Sequence, residues 1–155
     1  IEGRTKSHYY TARATWVYRQ AIDDAAAGRP FRRELLAELE GLANRGYTEG
    51  FYRRHAPSEL QNYDDGASRD QRSIFVGEVV GTDAASGLAE IEVKNRFDVG
   101  DQLELLTPTG AVRFRLQRMT GLDGSPIDAA PGSGWRVRIE LPGGDAALGL
   151  ITRAL

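Results

Sequence analysis

Residues Leu88–Pro108 read LAEIEVKNRFDVGDQLELLTP, and the organisation of the chain follows from how this stretch alternates. In its first half Leu88, Ile91 and Val93 are interleaved with Glu90 and Glu92, and in its second half Leu103 and Leu105 flank Glu104. A period of two sends successive side chains to opposite sides of an extended chain, so each half is expected to be a strand with one buried and one wet face. Between them Asp98, Gly100 and Asp101 supply turn chemistry, Gly100 being free to take a positive φ. The stretch reads as strand, tight turn, strand: a hairpin-like corner of a small β domain. Lys94, Asn95 and Arg96 stand at that corner, as a structural bend or as a ligand contact.

The same alternation recurs on both sides. Ile74–Val80, Leu88–Lys94, Gln102–Thr107, Ala111–Met119, Trp135–Leu141 and Ala147–Ala154 give about six strands, punctuated by Thr82–Gly87, Asp98–Asp101, Pro108–Gly110, Gly121–Pro126 and Pro142–Asp145. Short strands with no helical pattern between them point to an antiparallel sheet. In so short a span, closure into a barrel is the expected way to hide the edges.

The chain before this region is helical in pattern. From His8 to Ala27 there is no Gly or Pro, and Tyr10, Ala14, Val17, Ala21 and Ala25 recur at spacings of three and four, which predicts an amphipathic helix ended by Gly28. Tyr9, Trp16 and Tyr18 add apolar surface on its other sides, for local packing or for a neighbour in a larger protein. Pro30 opens a second helix with Leu35, Leu36, Leu39, Leu42 and Ala43 inward, closing at Asn44 and Gly46. The fold class is α+β, an N-terminal helical hairpin followed by a small antiparallel β-barrel of about six strands. Gly46–His55, GYTEGFYRRH, joins rings to cations through Tyr47, Phe51, Tyr52, Arg53 and Arg54. These could stack on nucleotides or plug the loop against another domain. Gln61–Arg72 is polar and turn-rich and reads as a linker, whose Asp64 and Asp65 are expected to be solvated rather than metal ligands.

Composition bounds the function. The 155 residues are 41% hydrophobic, as in an ordinary soluble fold, and carry a formal net charge of −2. Residues 5–62 hold 9 basic and 7 acidic side chains, residues 63–155 hold 10 and 14, too weak a contrast to argue polyanion binding from net charge. No cysteine is present, which excludes disulfides, thiolate metal sites and cysteine nucleophiles. No apolar run approaches the roughly 20 residues that span a bilayer, and no secretory leader opens the chain. The expectation is a cytoplasmic protein with no membrane partner. Ile1–Arg4, IEGR, matches a protease-cleavage linker and is set aside as an expression-tag remnant.

No nucleophile elbow, zinc-protease helix, phosphate loop or dinucleotide fingerprint occurs. PGSGW at Pro131 and LPGGD at Leu141 lie between strands, where no helix N-terminus completes a phosphate cradle. His8 and His55 are isolated, and the acidic residues fall on alternate strand positions expected to face solvent, so no catalytic residue and no metal ligand is assigned. One constellation remains. Arg113 and Arg115 alternate with Phe114 and Leu116, while Arg136 and Arg138 alternate with Val137 and Ile139. If those strands pair or face the same way, four guanidiniums form one patch able to grip phosphate; otherwise Glu90, Glu92 and Glu104 balance an ordinary wet face. With Lys94 and Arg96 these are the candidate nucleic-acid contacts.

The string VKNRFDVGDQLELLTPTG, Val93–Gly110, resembles the C-terminal domain of the collagenase-like U32 peptidase family, and EGLANRGYTEGF, Glu40–Phe51, resembles the segment before that domain. Within the family the likeness is to bacterial proteins that take part in hydroxylating the wobble uridine of transfer RNA. The resemblance covers nearly all the chain after its first residues. It implies a barrel similar to the accessory barrels of translation factors, with residues 73–155 as the C-terminal barrel, 63–72 as the linker and 5–62 as the helical segment joining a missing N-terminal barrel. That missing part would carry the reactive site and its cysteines, with room for an iron–sulfur cluster or metal; no cofactor is expected in the present residues. The implied role is a non-catalytic module that binds or positions transfer RNA. The alternatives are a protein-substrate module of a peptidase, or a domain that only docks on its parent.

Overall fold

The structure, a computed structural model, describes residues 1–4, 6–42, 73–143 and 146–154. The chain divides into two compact units, 1–72 and 73–155. The loop with Tyr47, Phe51, Tyr52, Arg53 and Arg54, the linker at 63–72, and Ala43, Asn44 and Gly46 lie outside the described residues.

In the first unit α1 spans His8–Ala26 and α2 spans Glu34–Glu40. α1 stops where Gly28 takes a φ of 67°. The Gly28 N–H donates to the Ala25 carbonyl at 3.0 Å and the Arg29 N–H to the Asp24 carbonyl at 2.8 Å, the paired bonds that satisfy the last carbonyls of a helix. The Asp24 carboxylate then ties the following loop to the helix, accepting from Arg29 Nε at 2.7 Å and Arg32 Nε at 2.6 Å. Of the expected stripe, Ala14 and Val17 are buried, Tyr10 and Ala21 are half-buried and Ala25 is exposed; Tyr9, Arg13 and Asp24 are buried instead. The stripe is rotated because two charged side chains belong to it. Arg13 Nη2 lies 3.3 Å from Glu38 Oε2 on α2, and its guanidinium sits 5.8 Å from the Tyr9 and Trp16 rings. Paired charges can be buried, and apolar periodicity does not register them.

The second unit is a curled antiparallel sheet of seven strands, a half-barrel, with a separate two-stranded ladder. The strands are β1 (Ser73–Thr82), β2 (Ala89–Val93), β3 (Phe97–Asp98), β4 (Gln102–Thr107), β5 (Gly110–Arg115), β6 (Met119–Thr120), β7 (Ala129–Ala130), β8 (Arg136–Ile139) and β9 (Leu150–Ala154). The large sheet runs β5-β4-β9-β1-β2-β8-β6, and β3 pairs with β7. β1 is long enough to serve two neighbours along its length and bends at two register shifts, between Phe75 and Gly77 and between Val79 and Gly81, as bulges do. Gly77 follows the first of these shifts and lies close against β2: a Cβ there would meet Ile91 Cγ2 at 2.6 Å and the Glu92 carbonyl at 3.0 Å. The concave side holds Val76, Ile91, Val93, Phe97, Leu103, Leu105, Leu116, Met119, Val137, Ile139 and Ile151, the inward set of an alternating pattern.

The stretch Leu88–Pro108 is not a hairpin. Its two strands, β2 and β4, have β1 and β9 between them, and the connection carries β3. The expected turn is present, with Gly100 at φ 99° and the Asp101 N–H donating to the Asp98 carbonyl at 3.1 Å, but it joins β3 to β4. The expected strand Ala111–Met119 likewise divides into β5 and β6. There the Leu116 N–H donates to the Asp101 carbonyl and its own carbonyl accepts from Gly100 N–H, which turns the chain round the end of the core. Glu104 does not face solvent: it is 9% exposed, because β4 is buried on both sides.

Candidate nucleic-acid interface

The register settles which residues share a face. Arg136 and Arg138 on β8 stand opposite Glu92 and Glu90 on β2, and Arg113 and Arg115 on β5 stand opposite Glu104 and Gln102 on β4. All four arginines lie on the convex side, away from Val137, Ile139 and Leu103. They do not form one patch. β5 and β8 are separated by β4, β9, β1 and β2, five strand spacings or roughly 24 Å along the sheet. The single four-arginine grip expected from alternation is therefore replaced by two separate pairs.

Within each pair the donors are differently committed. Arg138 is clamped: Nε and Nη2 donate to Glu90 Oε1 at 3.1 and 2.9 Å, Nη1 donates to the Leu122 carbonyl at 3.1 Å, and Nη2 also lies 3.1 Å from Asp83 Oδ1. Asp83 is itself held below the usual carboxylate range, first by the Ser86 hydroxyl and backbone N–H and then by Arg138. Arg138 thus joins β8, β2 and two loops. Arg113 donates through Nε to Glu104 Oε2 at 3.1 Å, and Arg115 to the Gly100 carbonyl at 3.1 Å. Arg136 is exposed, and its side chain has no hydrogen-bond or ion-pair partner among the described residues. Its opposite number Glu92 is turned instead to Lys94, whose Nζ lies 2.8 Å from Glu92 Oε1 and 2.7 Å from Glu78 Oε1. Glu78 first and Glu92 second push the Lys94 pKa up, so the ammonium stays charged.

Lys94, Arg96 and Arg136 come together at one end of the half-barrel. The Val93 N–H donates to the Trp135 carbonyl at 2.9 Å, and Phe97 pairs with Ala130. Residues 94–96 and 131–134 are therefore adjacent loops closing the same end. The corner is anchored to the β1 bulge, because the N–H groups of Lys94 and Asn95 both donate to the Val76 carbonyl and Asn95 Nδ2 donates to the Phe75 carbonyl at 2.8 Å. Arg96 is paired with Asp98 at 3.1 Å, with its side chain 66% exposed. An ion pair that wet is weak and screened by solvent, so a phosphate oxygen can take the place of Asp98 at small cost.

Trp135 completes this rim and was not singled out by the sequence. Counted as the first residue of a strand with Val137 and Ile139 inward, it belongs in the core; β8 begins one residue later, and the indole is 50% exposed. The available signal was its place after two glycines and before an arginine. Among the described residues no three His, Cys, Asp or Glu side chains could together hold a metal ion, and no helix is long and apolar enough to cross a membrane.

Residues 71–153 match the Peptidase family U32 C-terminal domain, and residues 1–62 match Peptidase family U32. The chain is 54% identical over 142 residues to tRNA hydroxylation protein P of Escherichia coli strain K12 and 51% identical over 142 residues to tRNA hydroxylation protein P of Haemophilus influenzae. Each alignment covers 92% of this chain and 31% of the relative, so the chain spans about a third of the length of these proteins. A solved C-terminal domain of a U32-family protein from Geobacillus thermoleovorans aligns over 52% of this chain and 92% of its own, with a TM-score of 0.48 and 23% identity. With both of its units matched in order, the chain belongs to peptidase family U32.

Proposed function

We propose that this chain is a non-catalytic C-terminal module of a longer U32 protein, and that it binds or positions transfer RNA in the cytoplasm for wobble-uridine hydroxylation carried out elsewhere in that protein. The relatives named tRNA hydroxylation protein P support the substrate class. The observation that carries the reading is Arg136, an exposed guanidinium whose side chain has no partner among the described residues, at the same end of the half-barrel as Lys94 and Arg96, which are themselves paired with Glu78, Glu92 and Asp98. A formal net charge of −2 gives no general attraction for a polyanion, so binding has to come from such a local group. Phosphate contacts of this kind position a backbone without reading its sequence. The remainder of the longer protein is the second partner, and the two expectations compete for the same surface: a docking face would be covered in the full-length protein, an RNA face would not.

A salt titration of transfer-RNA affinity tests this. Each phosphate contact contributes about 0.7–0.9 to the negative slope of log affinity against log salt. Arg136→Gln should lower the slope by nearly one and weaken binding, while Arg113→Gln on β5 should change neither. Equal slopes for wild type and Arg136→Gln would remove the rim from the RNA reading.

A further inference from the structure

The rim presents a second kind of chemistry beside its cations. An indole carries a large apolar face that is highly buried on average and enriched at interfaces, and that of Trp135 is 50% exposed on a backbone that is held in place. Gly132 and Gly134 take φ of 150° and 90°, the Trp135 carbonyl accepts from Val93 N–H at 2.9 Å, and its own N–H donates to the Gly132 carbonyl at 3.4 Å. The ring is thus displayed by an anchored turn. Arg136 follows it directly with its side chain on the other face of the strand, and Lys94 and Arg96 stand in the adjacent loop. An exposed aromatic face accepts the face of a base, and the bases within a duplex already have both faces covered by stacking.

We propose that Trp135 is a stacking platform for an unpaired nucleobase, so that the rim takes single-stranded or loop RNA in preference to duplex. This rests on the RNA reading above and adds to it the form of RNA that is bound.

The test uses the full chain with three probes: transfer RNA, a ten-nucleotide oligoadenylate, and the blunt duplex of that strand with oligouridylate. Trp135→Ala should weaken oligoadenylate binding about tenfold and leave the salt slope unchanged, since no charge is removed. Trp135→Phe should keep most of the affinity, Trp135→Leu should lose it as alanine does, and duplex affinity should be unaffected by all three. The chain has two tryptophans, so in a Trp16→Phe background oligoadenylate should quench the emission of Trp135. Thermal midpoints of every variant separate loss of binding from loss of folding. If oligoadenylate binds wild type and Trp135→Ala equally, without quenching, the stacking role is overturned while the RNA reading stands. Wild-type affinity for duplex equal to that for the single strand overturns the preference in the same way. If none of the probes binds wild type, the RNA reading itself fails and the stacking role with it, leaving an exposed tryptophan suited to anchor a protein partner.

Discussion

Arg138 looked from sequence like a wet-face cation equivalent to Arg136, and replacing it by glutamine should show that it is a structural clamp. Its side chain is 21% exposed and that of Glu90 25%, and Arg138→Gln removes the charge-assisted bonds to Glu90 together with the bond to the Leu122 carbonyl. A hydrogen bond to a charged group is worth about 1.5–3 kcal/mol net. Partial solvent screening and the coupling of neighbouring contacts reduce the sum, while Glu90 is left half-buried without its counter-charge. The expected loss is about 2 kcal/mol. The second unit runs from Ser73 to Leu155, and a domain of that size loses about 4–8 °C of thermal midpoint per kcal/mol, so the midpoint should fall on the order of 10 °C. Thermal unfolding of the full chain followed by circular dichroism reads this directly. Arg138→Lys keeps the charge but loses the planar fork and should fall in between. Below its midpoint, Arg138→Gln should bind transfer RNA with the wild-type salt slope. An unchanged midpoint with a slope reduced by nearly one would refute the clamp and return Arg138 to the interface.

Two further outcomes follow from geometry elsewhere. Gly77→Ala should destabilise the sheet by about 1–3 kcal/mol, as overpacking does, because the added methyl group meets Ile91 Cγ2 at 2.6 Å. The gain of about 0.4–1 kcal/mol from a stiffer unfolded chain is smaller, so a denaturant midpoint at or above that of wild type would contradict the close approach of β1 and β2. Asp24 is held below its ordinary pKa of 3.8, chiefly by the hydrogen bond from Arg29 and then by Arg32. A depressed carboxylate pKa stabilises the fold fully above the ordinary value and loses that contribution as pH falls through the folded value. The helical signal of wild type should therefore drop more steeply below about pH 4 than that of Asp24→Asn, which should start less stable at neutral pH; superposable acid limbs would show that Asp24 does not hold the loop after α1.

Local alternation told which residues face inward far better than which strands are neighbours. β4 falls where the Leu103, Glu104, Leu105 pattern put it, and α1 ends within one residue of its expected end because Gly28 at positive φ is a strong stop signal. Phe97–Asp98 and Ala129–Ala130 were missed and Met119–Thr120 was not separated from β5, since two residues cannot display a period of two. The hairpin was misread because a tight turn usually joins partners, whereas here β2 and β4 each pair elsewhere and Phe97 is tied to Ala130 far along the chain. The same non-local pairing decided the candidate site. Nothing near Arg138 in sequence shows that Glu90, 48 positions away, will hold it, and nothing near Arg136 shows that Lys94 will take its carboxylate. Charge content was legible, but which charge is left over is a property of the register.

Amide chemical-shift mapping of the isotopically labelled chain during titration with transfer RNA locates the contact surface residue by residue. If the rim is the RNA face, perturbations concentrate at residues 94–96 and 131–136, with Trp135 and Arg136 among the largest, and residues 111–115 of β5 stay in place. Shifts confined to β5, or to residues 47–54, with the Lys94–Arg96 and Trp135–Arg136 rim silent, would contradict it.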